Sequence, residues 1–378
     1  MDIKDYKSGI FKEQYRHKSF SPSAINREWT WTDPKINTLL SEANLRLGEL
    51  NAFSLYVPDI DIFIQMHVVK EATTSSRIEG TQTNIEDALV SKADLLPERR
   101  DDWQEVQNYI SAMNFAINQL SKVPVSTRLL KEAHNRLLQS VRGEHKQPGD
   151  YRKSQNWIGG SSLNDAVFIP PHHEEISDLM NDLEKFIHND TIEVPSLIRI
   201  ALAHYQFETI HPFLDGNGRL GRLLITLFLV SNGLLAKPTL YLSDYFEKNK
   251  SLYYDNLTLV RTHNNMGQWI KFFLVGVIET SKKGIKTFQQ ILLLKDRIEQ
   301  KKMVSMGKKI PRARALMNLL YKSPTLNAAS VEKNLGVSKV TANALIRDFV
   351  HADILKEITG YKRHRVFVFN DYLELFLR

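Results

Sequence analysis

The chain of 378 residues contains no cysteine, which excludes disulfides, thiolate metal sites and a cysteine nucleophile. Long apolar runs are also missing. The longest, residues 223–230, is far shorter than the ~18 residues that a membrane-spanning helix needs. The amino-terminal stretch MDIKDYKSG is charged and lacks the apolar core of a signal peptide. These absences predict a cytoplasmic protein that makes no contact with a membrane.

The overall composition is ordinary, but the charge is unevenly distributed. Hydrophobic residues make up 42% of the chain and charged residues 25%, as in soluble globular proteins. The net charge is +7, yet residues 282–378 contain 20 Lys and Arg against 8 Asp and Glu, whereas residues 1–281 contain 30 against 35. This asymmetry predicts that the carboxyl-terminal part meets a polyanion and that the rest has another task.

Hydrophobic periodicity predicts a mainly α-helical chain. The predicted helices span residues 34–50, 59–77, 103–120, 125–141, 174–188, 195–209, 219–232 and 245–280. One stretch differs: NWIGGSSLNDAVFIPP, Asn156–Pro171, has two short β-like runs around Gly, Ser and Asn, which predicts a hairpin. Residues 282–310 are lysine-rich, and we interpret them as a helix tail followed by a linker.

Residues 311–378 have the pattern of a separate small unit. A helix is followed by a helix–Gly336–helix sequence, and ILKEITGYKRHRVFVFN predicts a two-stranded ribbon with a basic tip. This order is typical of a winged helix-turn-helix domain. A DNA-binding role and a protein-binding role both remain open.

If the winged helix binds DNA, its second helix, residues 338–351, would enter the major groove. The residues at the start of this helix are Ser338, Lys339 and Thr341, and those on the wing are Lys362, Arg363 and Arg365. The wing side chains would meet phosphate groups.

The most informative stretch is HPFLDGNGRLGR, His211–Arg222. Its glycines match the dinucleotide fingerprint G-x-G-x-x-G, but that motif requires a preceding strand in a βαβ unit. Here the preceding segment, SLIRIALAHYQFETI, has helical spacing. A helix–loop–helix arrangement is therefore the better interpretation.

In a helix–loop–helix, this composition is suited to binding a polyphosphate. Gly216, Asn217 and Gly218 allow successive N–H groups to converge on an anion, and the start of the second helix adds further donors. Arg219 and Arg222 are three residues apart and share a face of the first turn. Their charge is unfavourable at a helix amino terminus unless an anion lies between them.

Two further residues of the loop suggest a reaction at this phosphate. Asp215 is a hard oxygen ligand, suited to Mg²⁺ that bridges phosphates. His211, which Pro212 leaves at the end of the first helix, can accept a proton near neutral pH. Each residue alone has an ordinary structural explanation, but their occurrence together in one loop favours a site for a polyphosphate, a metal and a nucleophile.

The twelve residues match every fixed position of the Fic family signature H-P-F-x-[DE]-G-N-G-R-x-x-R. Two further segments resemble that family: YRKSQNWIGG with AVFIPP resembles its flap hairpin, and LLAKPTLYLSDYFEKNKSLYYDNL resembles the helices that close its nucleotide pocket. The resemblance covers residues 101–280. It implies a Fic-fold helical core with a small hairpin flap.

The resemblance implies transfer of a nucleotide, most often AMP from ATP, to a Ser, Thr or Tyr hydroxyl of a target protein. On that basis His211 is the base and Asp215 binds Mg²⁺ across the α- and β-phosphates. The nucleotide-binding residues are Gly216, Asn217, Gly218, Arg219 and Arg222, with Asn249 and Tyr253 expected near the adenine. The free edge of the flap would pair with the target.

Upstream, SSRIEG at Ser75–Gly80 resembles the family's inhibitory motif, [ST]-x-x-x-E-[GN]. The resemblance implies that Glu79 pairs with Arg222 and restrains the enzyme. Gly80 is expected to end the helix, and Ser75, one turn before Glu79, is expected to hydrogen-bond it.

The sequence thus predicts four parts: an amino-terminal helical region with the inhibitory helix at 1–100, the Fic core at 101–281, the linker at 282–310 and the winged helix at 311–378. The expected activity is ATP- and Mg²⁺-dependent protein adenylylation under autoinhibition, with removal of AMP under some metal conditions. The alternative is a DNA-binding regulator whose Fic core senses a nucleotide. The target, the nucleotide preference and the oligomeric state, including a homodimer, stay open.

Overall fold

A computed structural model describes residues 1–15, 17–92, 95–139, 145–360 and 365–377. The fold is mainly helical, with two small antiparallel sheets. None of the helices in these ranges is both long and apolar enough to cross a membrane.

Residues 1–231 form an amino-terminal strand pair followed by helices. The strands are β1 Gly9–Glu13 and β2 Lys18–Pro22, and the helices are α1 Pro34–Tyr56, α2 Ile60–Ile78, α3 Ile85–Leu89, α4 Arg100–Gln119, α5 Thr127–Leu137, α6 Ile176–His188, α7 Ser196–Ile210 and α8 Asn217–Ser231. Short 3₁₀ turns at Pro97–Arg99 and His173–Glu175 lead into α4 and α6.

The remaining elements run from the nucleotide-pocket segment to the carboxyl terminus. The helices are α9 Ser243–Lys248, α10 Lys250–His263, α11 Met266–Arg297, α12 Ile310–Lys322, α13 Ala328–Leu335, α14 Lys339–His351 and α15 Asn370–Leu377, and the strands are β3 Thr325–Asn327, β4 Lys356–Glu357 and β5 Val366–Val368.

Helices α7 and α8 form the centre of the fold. Every residue of α7 from Leu197 to Ile210 is buried, and most of α8 is buried as well. A helix that is covered on all sides needs neighbours all round. Here α1, α4, α5, α6 and α11 surround the pair, so the loop between α7 and α8 is held by a rigid surround.

Helix α2 lies between this core and the carboxyl-terminal unit. One side packs on α4 and α9, and another packs on α12 and α15. The ring of Phe63 lies 5.1 Å from that of Tyr321, and the ring of His67 lies 5.0 Å from that of Phe376. Because α2 has contacts on both sides, a shift of α2 would change its packing against the core and against the carboxyl-terminal unit.

The strand predictions need two corrections. The sequence analysis missed the hairpin β1–β2, whose register runs from Gly9↔Pro22 to Glu13↔Lys18. The hairpin predicted at 156–171 is reduced to one antiparallel bridge, Ile158↔Phe168. Regular pairing stops there because Gly159 has a positive φ of 68° and Asp165 holds the next turn through hydrogen bonds to Ser161 and Ser162.

The helix predicted at 245–280 is three helices. Asn249 lies at the junction of α9 and α10, and Asn264, with φ of 57°, ends α10. The side chain of Asn265 then caps α11 by accepting from the N–H of Gln268. Asparagine tolerates the left-handed conformation and caps helices well, so these residues are the signals that the periodicity concealed.

The segment interpreted as a linker is largely helical. Helix α11 continues to Arg297, and a π-helical turn at Ile298–Lys302 and a 3₁₀ segment at Val304–Lys309 follow. The apolar residues of this stretch that are buried are Phe288, Ile291, Leu294, Ile298 and Met303. Their spacing of three to five residues buries one face, and the many lysines on the other face hid it.

In the carboxyl-terminal unit, strands β3, β5 and β4 form an antiparallel sheet in that order. Helix α14 follows α13 after Gly336, which has φ of 62°. The expected helices and ribbon strands are present, with β3 and α15 as unexpected additions, and the winged-helix assignment stays a prediction. Lys362 and Arg363 of the expected wing lie outside the described residues.

Candidate functional site

The candidate site begins where α7 ends. His211 is the residue after the last turn of α7 and has left-handed backbone angles, φ 50° and ψ 59°, with its N–H donated to the carbonyl of Phe207. Pro212 cannot continue the helix. The chain therefore turns sharply at His211, and its side chain lies at the edge of the loop that leads to α8.

The side chain of Asn217 closes this loop. Its Oδ1 accepts from the N–H of Phe213 at 2.9 Å, and its Nδ2 donates to the carbonyl of Phe213 at 2.8 Å. The sequence analysis expected this amide to contact phosphoryl oxygens. Because both of its polar atoms bind Phe213, the side chain instead shapes the loop, and only its backbone N–H is left for an anion.

The start of α8 has backbone N–H donors that no side chain caps. Gly216, with φ of 75°, precedes the helix, and the helix start has no side-chain cap. The first N–H groups of an α-helix have no partner within the helix, so those of Asn217, Gly218 and Arg219 remain available as donors. The N–H of Gly216 is already donated to Oδ1 of Asp215 at 2.5 Å, which is a difference from the expected cradle of Gly216, Asn217 and Gly218.

His134, on α5, supports the loop between α7 and α8. Its Nδ1 accepts from the N–H of Gly149 at 2.8 Å, so the proton is on Nε2, which donates to the carbonyl of Asp215 at 2.9 Å. Its ring stacks on Phe213 with centroids 3.8 Å apart. Burial lowers the pKa of His134 to about 4, which keeps the ring neutral. The sequence analysis missed this residue because nothing local in α5 marks it.

Arg152 fixes the other side of His211 and was also missed. Its buried guanidinium donates to the carbonyls of His211 at 3.0 Å, Ser154 at 3.1 Å and Pro171 at 2.6 Å. One side chain therefore connects both ends of the flap segment to the end of α7. The segment YRKSQNWIGG contains this arginine, but the sequence analysis gave it no role.

The environment of His211 keeps its imidazole neutral. Burial, together with the positive charge of Arg152, lowers the pKa of His211 to about 3, although the negative charge of Glu79 acts in the opposite direction. Nδ1 is buried and has no hydrogen-bond partner among the described residues. Nε2 is therefore the nitrogen that a substrate can reach, and it can accept a proton.

The two arginines of the loop are both paired with carboxylates. Arg219 is buried, with Nη1 3.2 Å from Oε2 of Glu105 and Nη2 3.5 Å from Oδ1 of Asp215. Arg222 is buried too, and its Nη2 lies 2.7 Å from Oε1 of Glu79. The expected Glu79–Arg222 pair is present, and it occupies the arginine expected to hold the outer phosphate.

Glu79 also covers the start of α8. A Cβ added to Gly218 would lie 2.2 Å from Oε1 of Glu79, so the carboxylate approaches the backbone as closely as only glycine permits. Burial opposes the ionisation of Glu79, but the charge and hydrogen bond of Arg222 outweigh it and hold the pKa of the carboxyl below its usual range. An anionic group thus lies beside the N–H donors of α8.

The end of α2 fixes the position of Glu79. Gly80 has φ of 102°, its N–H is donated to the carbonyl of Arg77, and the N–H of Thr81 is donated to that of Ser76. This pair of bonds is a Schellman motif with Gly80 in the position that favours glycine. Gly80 therefore ends the helix as expected, and the turn presents Glu79 to Arg222.

Ser75 has a different partner from the one expected. Its Oγ accepts from Nε of Arg222 at 2.8 Å, and its carbonyl accepts from Nη2 at 2.9 Å. The expected hydrogen bond from Ser75 to Glu79 is replaced by these two. Ser75 holds the arginine rather than the glutamate, because the buried guanidinium needs acceptors for each of its donors.

Of the two residues expected near the adenine, Tyr253 is buried in the core and Asn249 lies at a junction of two helices. Tyr253 is buried, and its hydroxyl bonds Nε2 of His204 at 2.9 Å, so it belongs to the core. Asn249, half-buried between α9 and α10, donates to the carbonyl of Tyr245 at 2.9 Å. Burial and the charge of Glu79 raise the pKa of the partly exposed Tyr254, which places this unpredicted side chain near the Glu79–Arg222 pair.

Asp215 fits one part of a magnesium site. Its side chain is 45% exposed, and the described contacts engage only Oδ1. No three His, Asp or Glu side chains come together as a metal site in the described part of the chain. Mg²⁺ binds readily through one carboxylate when substrate phosphates and water supply the other oxygens, so the residues present fit a metal that arrives with a nucleotide.

The fold and loop define a class: a helical protein with an uncapped helix start, a neutral histidine and a partly exposed carboxylate in one loop. Comparison with known families identifies this class further. Residues 37–118 match the Fic/DOC family N-terminal model, and residues 124–229 match the Fic/DOC family model. These regions of the chain are therefore similar to domains of the Fic/DOC family.

Known relatives agree with these matches. The chain is 30% identical over 135 residues to the protein adenylyltransferase Fic of Drosophila erecta, and 31% identical over 137 residues to that of Drosophila melanogaster. Each alignment covers 35% of this chain and 26% of the relative. The chain thus spans about a quarter of the length of these curated relatives.

Solved structures agree on the fold. A Fic family protein from Desulfovibrio desulfuricans G20 superposes with a TM-score of 0.57 at 19% identity and covers 91% of this chain and 98% of its own. Fic-1 from C. elegans superposes with a TM-score of 0.53 at 20% identity and covers 69% of this chain and 75% of its own.

Proposed function

We propose that the chain transfers AMP from ATP to a Ser, Thr or Tyr hydroxyl of a target protein and that Glu79 restrains this activity. The observation that supports the proposal most directly is the uncapped start of α8, where only Glu79 lies over the N–H donors, beside a neutral His211. A helix start offers N–H donors and a positive dipole end to phosphate. The names of the Drosophila relatives agree with the proposal.

In this mechanism Nε2 of His211 accepts the proton of the target hydroxyl. The hydroxyl oxygen forms a bond to the α-phosphorus of ATP, and the bond between that phosphorus and the bridging oxygen breaks, so that pyrophosphate leaves. The N–H groups of Asn217, Gly218 and Arg219 would stabilise the charge that develops on the phosphoryl oxygens. Such chemistry depends mostly on positioning and on neutralisation of charge.

The remaining residues have supporting roles. Asp215 would hold Mg²⁺, which supplies charge neutralisation across the phosphates. Arg222 would bind an outer phosphate once Glu79 leaves it, and Arg219 would lie at the edge of the same site. Asn217, His134 and Arg152 are positioning residues, since their side chains hold the loop and the end of α7.

Labelled ATP tests the proposal. The full chain is incubated with ATP labelled on the α-phosphate and Mg²⁺, alone and with a lysate, and label on protein is measured. His211→Ala should abolish transfer, a loss of at least about 10²-fold, while ATP affinity stays within a few-fold. Absence of label from both the unmodified chain and Glu79→Gly would contradict the proposal.

A second candidate function has support in the carboxyl-terminal unit. Lys339, Asn343 and Arg347 lie four residues apart along α14 and are exposed, so they form one polar, basic face. This face and the net positive charge of residues 282–378 favour a DNA-binding regulator whose core senses a nucleotide. The loss of transfer in His211→Ala distinguishes the two, since a sensor does not need a base.

A further inference from the structure

A second polar cavity lies on α2, away from the loop at 211–222. Its volume is about 50 Å³, and it is lined by α2, the segment around Tyr241, α11 and Phe376 of α15. This volume holds roughly three or four water-sized spheres. A phosphate or a carboxylate group fits, and a nucleotide does not. We call this space the α2–α11 cavity.

Four buried polar atoms that line this cavity have no hydrogen-bond partner among the described residues. These atoms are Nε2 of His67, Oε2 of Glu71, Oγ1 of Thr74 and the hydroxyl of Tyr241. Each residue is at least nine-tenths buried. Buried polar atoms are normally satisfied, because an unmet donor or acceptor costs about 1–3 kcal/mol. Four of them around one space indicate an occupant that bonds to several at once.

Charge at the cavity favours an anion. Lys70, Lys283 and Lys248 all pair with the single carboxylate of Asp244, at 3.6, 2.8 and 3.2 Å. Lys70 has the longest of these contacts although its side chain is only 17% exposed. Burial lowers the pKa of Lys70 to about 8. The charge of Asp244 raises this pKa, and the charges of the neighbouring lysines lower it. An additional negative charge would relieve this repulsion.

The lining also contains the carboxylate of Asp244, which is paired with Lys70 and Lys283, and three groups that can donate hydrogen bonds. Burial raises the pKa of Glu71 to about 7, so the fold favours its protonated carboxyl, which can donate from Oε2. Thr74 and Tyr241 add hydroxyl donors. Two ammonium groups, two hydroxyls and one carboxylic acid match the several acceptor oxygens of a small oxyanion.

We propose that the α2–α11 cavity binds a small oxyanion, a phosphate or a carboxylate, and that this ligand fastens α2 in the position in which Glu79 occupies Arg222. The second half of this inference rests on the proposed function; the binding itself does not.

The connection to the inhibitory contact follows from the spacing on α2. His67, Glu71, Ser75 and Glu79 are four residues apart and share a face of the helix. The first two line the cavity, and the last two bind Arg222. The oxyanion would join α2 to α11 and to Tyr241. A ligand that binds more tightly when Glu79 is paired with Arg222 shifts the population towards that paired arrangement. The anion therefore acts as an inhibitor.

Titration calorimetry on the full chain tests the binding. Inorganic phosphate and acetate are compared, each against sodium chloride at equal ionic strength, and their relative heats distinguish a phosphate site from a carboxylate site. Lys70→Met and Tyr241→Phe should each weaken binding by at least tenfold. Tyr241→Phe keeps the ring and removes only an unpartnered hydroxyl, so it should fold. Lys248→Met is the matched control, since Lys248 pairs with Asp244 but does not line the cavity.

Each outcome of these binding measurements either supports or contradicts the proposal. Loss of binding in the two cavity variants with retention in Lys248→Met supports the proposal. Binding that persists in the cavity variants would belong to the start of α8 and not to the cavity. Equal loss of binding in all three variants would reflect surface charge. Either result overturns the proposal, and so does the absence of binding to the unmodified chain. In the transfer assay, the anion should slow the unmodified chain and leave Glu79→Gly unaffected. Anion binding without any transfer activity would contradict the proposed function and leave the cavity site standing.

Discussion

Oε1 of Glu79 lies 2.7 Å from Nη2 of Arg222, although the two residues are 143 positions apart in the chain. The contact joins the end of α2 to the first turn of α8 and covers Gly218. A single carboxylate therefore neutralises an arginine of the proposed phosphate site and blocks the N–H donors next to it. Both effects would keep a nucleotide from binding productively.

We expect Glu79→Gly to raise AMP transfer, including self-modification, by tenfold or more. Release of a contact of only about 1.4 kcal/mol already gives a factor of ten. Initial rates with labelled ATP and Mg²⁺ provide the measurement. Glu247→Gln is the matched control, because Glu247 pairs with Arg77 of α2 at 2.9 Å without reaching Arg222. An unchanged rate in Glu79→Gly would show that the contact is structural only.

Gly80→Ala should activate the enzyme more weakly than Glu79→Gly. An added Cβ meets no atom within 4 Å, so the change acts only through the φ of 102°, which costs about 1–3 kcal/mol for a residue with a side chain. The strained turn would no longer hold Glu79 firmly against Arg222.

Gly233→Ala is the control for this strain. Gly233 has φ of 70° with open space around it, and it follows the far end of α8. It should lower the melting temperature by a similar amount without raising the rate of transfer. Equal rates in the two variants would rule out a specific role for the turn at Gly80.

The sequence predicted the parts of this site that are contiguous. Residues 211–222 form the loop and the first turns of α8, and the predicted helix–loop–helix arrangement is confirmed. The pair of Glu79 and Arg222 was expected only from the resemblance, since no local pattern links residues so far apart. Ser75 binds Arg222 because the guanidinium of this arginine is buried and needs acceptors. The burial of a side chain in the fold cannot be derived from the local sequence.

The residues that hold the loop could not be predicted. His134 and Arg152 act through backbone carbonyls, and any residue type can offer a carbonyl, so their partners leave no trace in the sequence. The buried face of 282–310 was concealed by lysines on its other side. The hairpin β1–β2 was missed because β1 is almost entirely exposed and β2 has adjacent buried residues, so neither strand shows the alternation that identifies a half-buried strand.

Acidification should destabilise the fold through buried histidines, and His134 allows a clear test. Its pKa falls from 6.5 in the unfolded chain to about 4 in the fold. Between these values the unfolded state binds the proton and the folded state does not, so stability is lost as pH falls through this window. From pH 7 to pH 5 the loss due to this one residue is about 2 kcal/mol.

Urea unfolding of the unmodified chain and of His134→Gln at pH 7 and pH 5 measures this contribution. The variant is expected to be less stable at pH 7, because the loop loses the stacked ring, but its stability should fall less on acidification. The comparison between the two proteins isolates His134 from Glu71 and Glu208, whose pKa values burial raises to about 7 and which act in the opposite direction. Parallel pH dependences would mean that His134 is accessible to protons in the fold.

The exposed face of α14 provides the test of DNA binding. The full chain is needed, because α12 and α15 pack on α2 through Tyr321 and Phe376, and an isolated fragment would expose those rings to water. We expect binding to a pool of random duplexes at low salt, measured by fluorescence anisotropy. The affinity should fall as salt rises, with a logarithmic slope of about −0.9 for each phosphate that is neutralised.

Arg347→Ala should weaken this binding several-fold and reduce the slope by about one, because it removes one cation from the face. Arg128→Ala removes an equal charge from a side chain on α5 that is 85% exposed, and it should leave both quantities unchanged. If the full chain binds no duplex at low salt, or binds without salt dependence, the unit does not act on DNA. Its exposed helix would then be available to a protein, and the positive charge of residues 282–378 would predict an acidic partner.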